Sequence, residues 1–235
     1  MVRRLELRRL LRASESTGSV AVFRVGVGET LWPGGTVAEV SGSLADDAVL
    51  ASLVTGVNRT FDQDPLLAFR LLSDIGLRAL SPAINDPATA VHVLDDVVGL
   101  LLVLAPRDLD VGAIRSSTSG ETRVYVHLPT WGEFVGEGLD ELLVAARNSP
   151  MVLERARANL ARLSGHLPLD RRPDVDSRIQ QVDAYVRAGH LERSEPTMLS
   201  QPEHRDPRAF DPHLRSGTPG PAPGERRPRS TGGRR

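Results

Sequence analysis

Apolar residues recur along this chain with two different periods. Val20, Val22, Val25 and Val27 nearly alternate, and turns are marked by Gly28, Pro33, Gly34 and Gly35, so this segment predicts short strands joined by turns after a turn over 14–18. From Ser43 onward the period is helical. Ala48, Leu50, Leu53, Val54 and Val57 come after Ser43 and Asp46, a spacing like a capping box, and predict a helix over 45–58. Three later starts combine a capping side chain with proline at the first helical position: Asp64-Pro65, Asp86-Pro87 and Ser149-Pro150. Proline fixes its own φ and pushes the residue before it into the extended conformation a cap needs. Helices are therefore expected near 65–80, 87–105, 131–147, 150–164 and 174–189. A short amphipathic helix over 5–13 precedes them, with Leu5, Leu7, Leu10 and Leu11 among arginines. Residues 121–128, E-T-R-V-Y-V-H-L, alternate like a strand that joins the N-terminal β element or forms a short ribbon. The fold class this predicts is α+β, predominantly helical. Residues 1–42 make an N-terminal helix and small β module, 43–192 a helical bundle, and 193–235 a disordered Pro/Gly/Arg-rich tail.

Composition changes what the β module can be. The stretch G-E-T-L-x-x-G-G-T-V-A-E-V resembles half of a biotinyl/lipoyl-type barrel, two strands and a tight turn. All 29 basic residues are arginine, so the lysine that would carry the cofactor is missing and the resemblance implies a purely structural half-barrel. Lipoyl and biotin are excluded as cofactors, and no other is expected. Schiff-base chemistry and a Walker lysine fall with them. The chain has no cysteine, which removes disulfides, thiolate zinc sites, iron–sulfur clusters and thiol nucleophiles.

A net charge of −1 conceals a polarity. Arg3, Arg4, Arg8, Arg9 and Arg12 stand against Glu6 alone, and from Glu203 to Arg235 eight arginines stand against four acids, leaving an acidic middle. The tail has almost no aromatic residues to stack on bases, which argues against nucleic acid as a partner. The longest apolar run, Val97–Ala105, is about half of what a bilayer span needs. Arginines interrupt any signal-peptide core. A cytoplasmic location is expected on these grounds.

The residues with chemistry to offer lie between Arg59 and Asp96. On the helix after Pro65, apolar residues point in nearly every direction, which predicts a buried central helix. Arg70, Asp74 and Arg78 break that pattern at i, i+4 and i+8, stacking in one stripe. Buried charges must be paired or line a wet cavity, and two arginines around one aspartate call for another carboxylate or an anionic ligand. The candidate ligand-binding residues are Arg59, Asp64, Arg70 and Asp74, with Arg78, Ser81, Asn85 and Asp86 toward the following turn. Arg78 is expected near that turn and Arg70 nearer the level of Asp95 and Asp96.

Plainer roles compete for each. Asp64 and Asp86 suit N-caps, Asn85 suits a left-handed turn position, and the stripe suits a structural ion-pair network. His92, Asp95 and Asp96 are the candidate metal ligands, weakened by the lack of a second nearby histidine. Ser81 or Thr89 beside His92 lacks a nucleophile-elbow pattern. Trp131, at a helix start, reads as a core or interface anchor. No complete catalytic set is visible.

The run R-T-F-D-Q-D-P-x-x-x-F-R-x-L-x-D-I-x-x-R-A-L-S-P-x-I-N-D-P-x-T-A is similar to the signature of a bacterial family of predicted membrane proteins, domain of unknown function 2254. The likeness extends to G-E-T-L-W-P-G-G-T-V-A-E-V, L-P-T-W-G-E-F and N-S-P-M-V-L-E-R. Its pattern falls on Arg59, Gln63, Asp64, Arg70, Asp74, Arg78, Ser81, Asn85, Asp86 and Thr89, with Ala83 where the family tends to have glycine. The resemblance implies no reaction. It implies membrane context, with transmembrane helices ahead of this portion; none precede it in this sequence, which fits a soluble relative or a chain lacking its membrane part. The function expected is an interaction or regulatory module that docks onto membrane proteins, the membrane or its own copies as a homo-oligomer. The alternative is an anion- or divalent-ion-binding domain, conceivably hydrolytic, built on residues 59–96.

Overall fold

In a computed structural model, which describes residues 1–194 apart from the side chains of 190–194, the chain begins with a strand, β1 (Val2–Leu5). Helix α1 comes next over Leu7–Thr17, two residues later than its leucines suggested, and Gly18 closes it in the left-handed conformation at φ 65°. β2 (Val20–Phe23) and β3 (Ala38–Ser41) form an antiparallel hairpin, Val20 opposite Ser41 and Phe23 opposite Ala38.

The helix expected over 45–58 is two elements instead. α2 (Asp46–Leu50) lasts five residues, and β4 (Leu53–Thr55) pairs antiparallel with β1, Leu5 opposite Leu53 and Val2 opposite Thr55. Ser43 does not cap: Ala45 holds the cap position without a side-chain bond. Ser52 donates both its N–H and its hydroxyl to the Val49 carbonyl, which ends the helix. A free edge on β1 then makes the extended state of Leu53-Val54-Thr55 the better one, a tertiary gain that outweighs helical spacing.

The strand read at 121–128 is β6 (Thr122–Tyr125), and it both joins the N-terminal element and forms a ribbon. It runs parallel to β2 and antiparallel to β5 (Ala113–Arg115), giving a four-stranded sheet of order β3-β2-β6-β5. The stretch that resembled half a barrel supplies only β3: residues 28–37 are a turn-rich loop between β2 and β3 and do not form the first of the two expected strands. Val2, Leu5, Leu10, Ala21, Phe23, Val49 and Val124 form the hydrophobic cluster of the β module, which therefore draws on residues far beyond 42.

The helical part comprises α3 (Leu66–Ala79), α4 (Pro87–Leu104), α5 (Trp131–Ala145), a 3-10 turn, α6 (Pro150–His166) and α7 (Arg172–Ser194). These helices enclose a second cluster that includes Leu94, Val97, Leu101, Leu139, Leu142, Leu160 and Leu163. The central helix is α4, packed against α3, α5 and α6. α3 lies outside it, with Leu71 and Ile75 exposed, which corrects the expectation of a helix buried all round. Glycine lets these helices approach closely: a Cβ on Gly138 would sit 2.7 Å from Val97 and 2.9 Å from Phe69.

Contrary to the expectation that nothing is apolar enough for a bilayer, α4 spans 18 residues at mean hydropathy 1.7, long and apolar enough to cross one by length and composition. A buried core helix meets the same criteria. Ala90, Val93, Leu94, Val97, Val98 and Leu101 face the bundle interior, and Asp95 and Asp96 interrupt the run. Except for the last two residues of α7, the expected tail falls outside the described residues.

Candidate functional site

The segment 59–65 enters α3 beneath the β module. Arg59 grips the Asp64 carboxylate with two hydrogen bonds, Nε to Oδ2 at 2.7 Å and a terminal nitrogen to Oδ1 at 2.9 Å. Asp64 is 2% exposed. Its Oδ1 also accepts from the N–H of Leu67 at 3.3 Å, so one carboxylate serves as a helix-start acceptor and as an ion-pair partner. The bond to Asp64 raises the pKa of Arg59 against the opposing effect of burial. Gly28 closes over the pair at φ 90°, where a Cβ would lie 2.7 Å from Asp64 Oδ2.

Around the pair is a cleft of about 200 Å³, to which Glu29, Gln63, His127, Glu133 and Glu137 contribute. Glu133 is partly committed: its Oε2 accepts from the N–H and the hydroxyl of Thr130, both at 2.7 Å, in a capping box that starts α5. Those bonds, the backbone one first, hold its pKa low. Its Oε1 lies 3.5 Å from His127 Nε2. Apart from Arg59 and His127 the charges in the cleft are carboxylates, so its free capacity suits donors and cations rather than anions. Among the described residues, no three His, Cys, Asp or Glu side chains form a group that would hold a metal ion.

The polar stripe of α3 turns toward α5. Arg70 pairs with Asp74 at 3.0 Å and reaches Glu141 at 3.4 Å and Glu137 at 3.8 Å. Beyond Asp74 of its own helix, its carboxylates thus come from α5 and not from the Asp95–Asp96 level. Arg78 is exposed and has no ion-pair partner among the described residues. At the turn, the Ser81 hydroxyl donates to the Arg78 carbonyl at 2.7 Å and Asn85 takes φ 49°. Asp86 caps α4, accepting from Thr89 N–H at 3.1 Å and from its hydroxyl at 2.6 Å, which lowers the pKa of Asp86. Asp64 and Asp86 therefore lie at opposite ends of α3, about 20 Å apart at 1.5 Å per residue. The structure brings Arg59 to Asp64 and Arg70 to Asp74, and leaves Arg78, Ser81, Asn85 and Asp86 at the far end.

Asp95 belongs to the α4–α6 contact. Arg155 binds it through two nitrogens, each at 2.7 Å, and Asn159 donates to the same carboxylate; the arginine bonds chiefly lower its pKa. His92 and Asp96 are exposed on the outer face of α4. His92 lines a groove of about 430 Å³ with Met151 and Glu154 of α6.

The model of the family described as predicted membrane protein, DUF2254, matches residues 1–162. The chain belongs to the DUF2254 family. It is 30% identical over 193 residues to an uncharacterised protein of Mycobacterium bovis and, to the same degree, to uncharacterised proteins of two Mycobacterium tuberculosis strains. The match covers 82% of this chain and 36% of each relative, so the chain spans about a third of the length of the curated relatives it matches. No solved structure matches it.

The DUF2254 match takes in every candidate residue, both sheets and the helices through most of α6. Sequence reasoning missed four contributors. Thr130-Trp131-Gly132-Glu133 carries a legible capping signature. Glu137, His127 and Arg155 carry none: Arg155 reaches Asp95 across 60 residues of chain, Glu137 approaches Arg70 of another helix, and His127 lies at the cleft beside Glu133 outside any regular spacing.

Proposed function

We propose that this DUF2254 chain is a non-enzymatic interaction module that pairs with a second copy of itself through the outer face of α3. The carrying observation is that face itself. Leu71 and Ile75 are exposed beside Asp74 and Arg78, which has no ion-pair partner among the described residues, and Ile84 is exposed just past the helix. Most of the other charged candidates are taken up: Arg59 by Asp64, Arg70 by Asp74 and Glu141, Asp95 by Arg155, and Asp86 by Thr89, while His92 and Asp96 stay exposed on α4. Those taken up hold elements in place, which favours a binding role over a reaction.

Two α3 helices packed antiparallel about a two-fold axis at the level of Gly76, on the outer side of the helix, set Asp74 against the partner's Arg78, twice, with Ile75 between them and Leu71 at the rim. Such self-complementary faces are the commonest route to homodimers. The family's membrane context supports a module that assembles a membrane protein, and the arginine-rich residues 3–12 support a cytoplasmic side.

Light scattering on the purified chain across a concentration series tests the reading. A dimer is expected, which Ile75→Asp converts to monomer with unchanged circular dichroism. Arg78→Asp should weaken it, and combining that change with Asp74→Arg should restore it. A monomer at every concentration, or a dimer indifferent to Ile75→Asp, overturns it.

A further inference from the structure

A different surface, at one end of the β module, displays aromatic and aliphatic side chains to solvent. Trp32 is 75% exposed, Val57 90% and Phe61 64%. Single exposed apolar side chains are ordinary, but these three belong to two loops that flank one strand. On one side of β1, Val2 donates to the Glu29 carbonyl at 2.9 Å and accepts from Gly28 at 2.9 Å; on the other, Gly56 donates to the Met1 carbonyl at 3.1 Å. Two strand spacings, about 10 Å, separate those flanks. Trp32 comes three residues after Glu29, and Val57 directly after Gly56. Arg4 reaches Asp62 at 3.4 Å and so ties the loop carrying Phe61 back to the same strand.

Trp32 is also held in place. Trp32-Pro33-Gly34-Gly35 forms a turn closed by Gly35 N–H to the Trp32 carbonyl at 2.9 Å, with Gly34 at φ 78°. Proline presets the first corner and glycine takes the left-handed one, so the indole is displayed from a stiff turn and loses little further backbone entropy on docking. Arg3, Arg8, Arg9 and Arg12, on β1 and α1, are exposed and make no ion pair among the described residues. Glu29 precedes Trp32 by three residues, and Asp62 follows Phe61 directly.

We propose that this end of the β module docks on an anionic phospholipid surface, with Trp32 and Phe61 entering the headgroup region and the arginines of residues 3–12 meeting phosphates. Indole rings favour that depth, aliphatic and phenyl groups lie just below it, and each arginine near an anionic surface adds about 1 kcal/mol. The surface is separate from the α3 face and does not depend on pairing there.

The full chain is mixed with vesicles of phosphatidylcholine alone and of phosphatidylcholine with phosphatidylglycerol. Trp131 is buried, so a change in tryptophan emission reports Trp32. Expected are a blue shift and co-sedimentation with the anionic vesicles, weaker with the neutral ones. Trp32→Ser with Phe61→Ser should lower binding by about tenfold or more without changing the melting temperature, since neither residue is buried. Ile75→Asp should bind vesicles normally. No shift and no sedimentation with either vesicle overturns the proposal. So does binding that survives the double substitution, which would place it on arginines elsewhere, and so does loss of self-association in Trp32→Ser without any vesicle effect, which would make the loops a protein contact.

Discussion

Trp131 and Arg171 hold each other twice. The indole N–H donates to the Arg171 carbonyl at 3.0 Å, and the Arg171 guanidinium lies 5.3 Å from the ring centroid. The same guanidinium donates to the carbonyls of Leu104 and Ala105 at 2.9 Å and of Arg107 at 2.6 Å, satisfying acceptors that the end of α4 leaves open. One side chain therefore joins the start of α5, the end of α4 and the approach to α7.

Arg171→Ala should destabilise the chain by about 2–3 kcal/mol, the scale of a few charge-assisted bonds and one cation–π contact. Arg171→Lys should recover only part, because an ammonium cannot present the planar fork. Urea unfolding followed by Trp131 fluorescence measures both.

Removing one partner of the Arg59–Asp64 pair leaves a buried carboxylate without its cation, and Arg59→Met should cost about 3–5 kcal/mol. Arg59→Met with Asp64→Leu should be less destabilised than Arg59→Met alone, since no charge is then stranded. A thermodynamic cycle by chemical denaturation checks the sign.

Gly28→Ala and Gly34→Ala separate strain from collision. Both glycines have positive φ, but a Cβ on Gly34 meets nothing within 4 Å whereas one on Gly28 meets Asp64 at 2.7 Å. Gly34→Ala should cost about 1 kcal/mol of backbone strain. Gly28→Ala should cost more by about 1–3 kcal/mol, the scale of overpacking. Calorimetric melting of the two variants gives the difference.

Asp95 and Glu133 have pKa values lowered by folding, through Arg155 and through the Thr130 backbone N–H respectively. Each contributes stability that is complete above the ordinary carboxylate range and is lost as pH falls through the lowered folded value. The melting temperature should hold from about pH 7 to about pH 5 and fall below about pH 4. Asp95→Asn should melt lower at neutral pH and show a shallower fall in acid, keeping the share that belongs to Glu133 and the other carboxylates lowered by folding, Asp86 among them.

Local signals were legible where the chain satisfies itself within a few residues. Asp86-Pro87 and its cap to Thr89, the left-handed Asn85 and the start of α5 are set by neighbours in sequence, and α6 starts at Pro150 as expected although the Ser149 side chain makes no cap bond. The segment after Ala51 was not legible, because its helical spacing lost to a strand partner about 50 residues away. The stripe of α3 was legible as a stripe, while its exposure and its α5 carboxylates were not.

By itself the sequence determined the predominantly helical α+β class, the exclusion of lysine and cysteine chemistry, and the family, because each depends on residue types and short spacings. Only the tertiary structure decided that α4, not α3, is central, that Asp64 and Asp86 end up at opposite ends of a helix, and that Trp32 and Phe61 flank one strand. Those outcomes are set by which distant surfaces bury each other, and burial between distant segments leaves no fixed spacing along the chain.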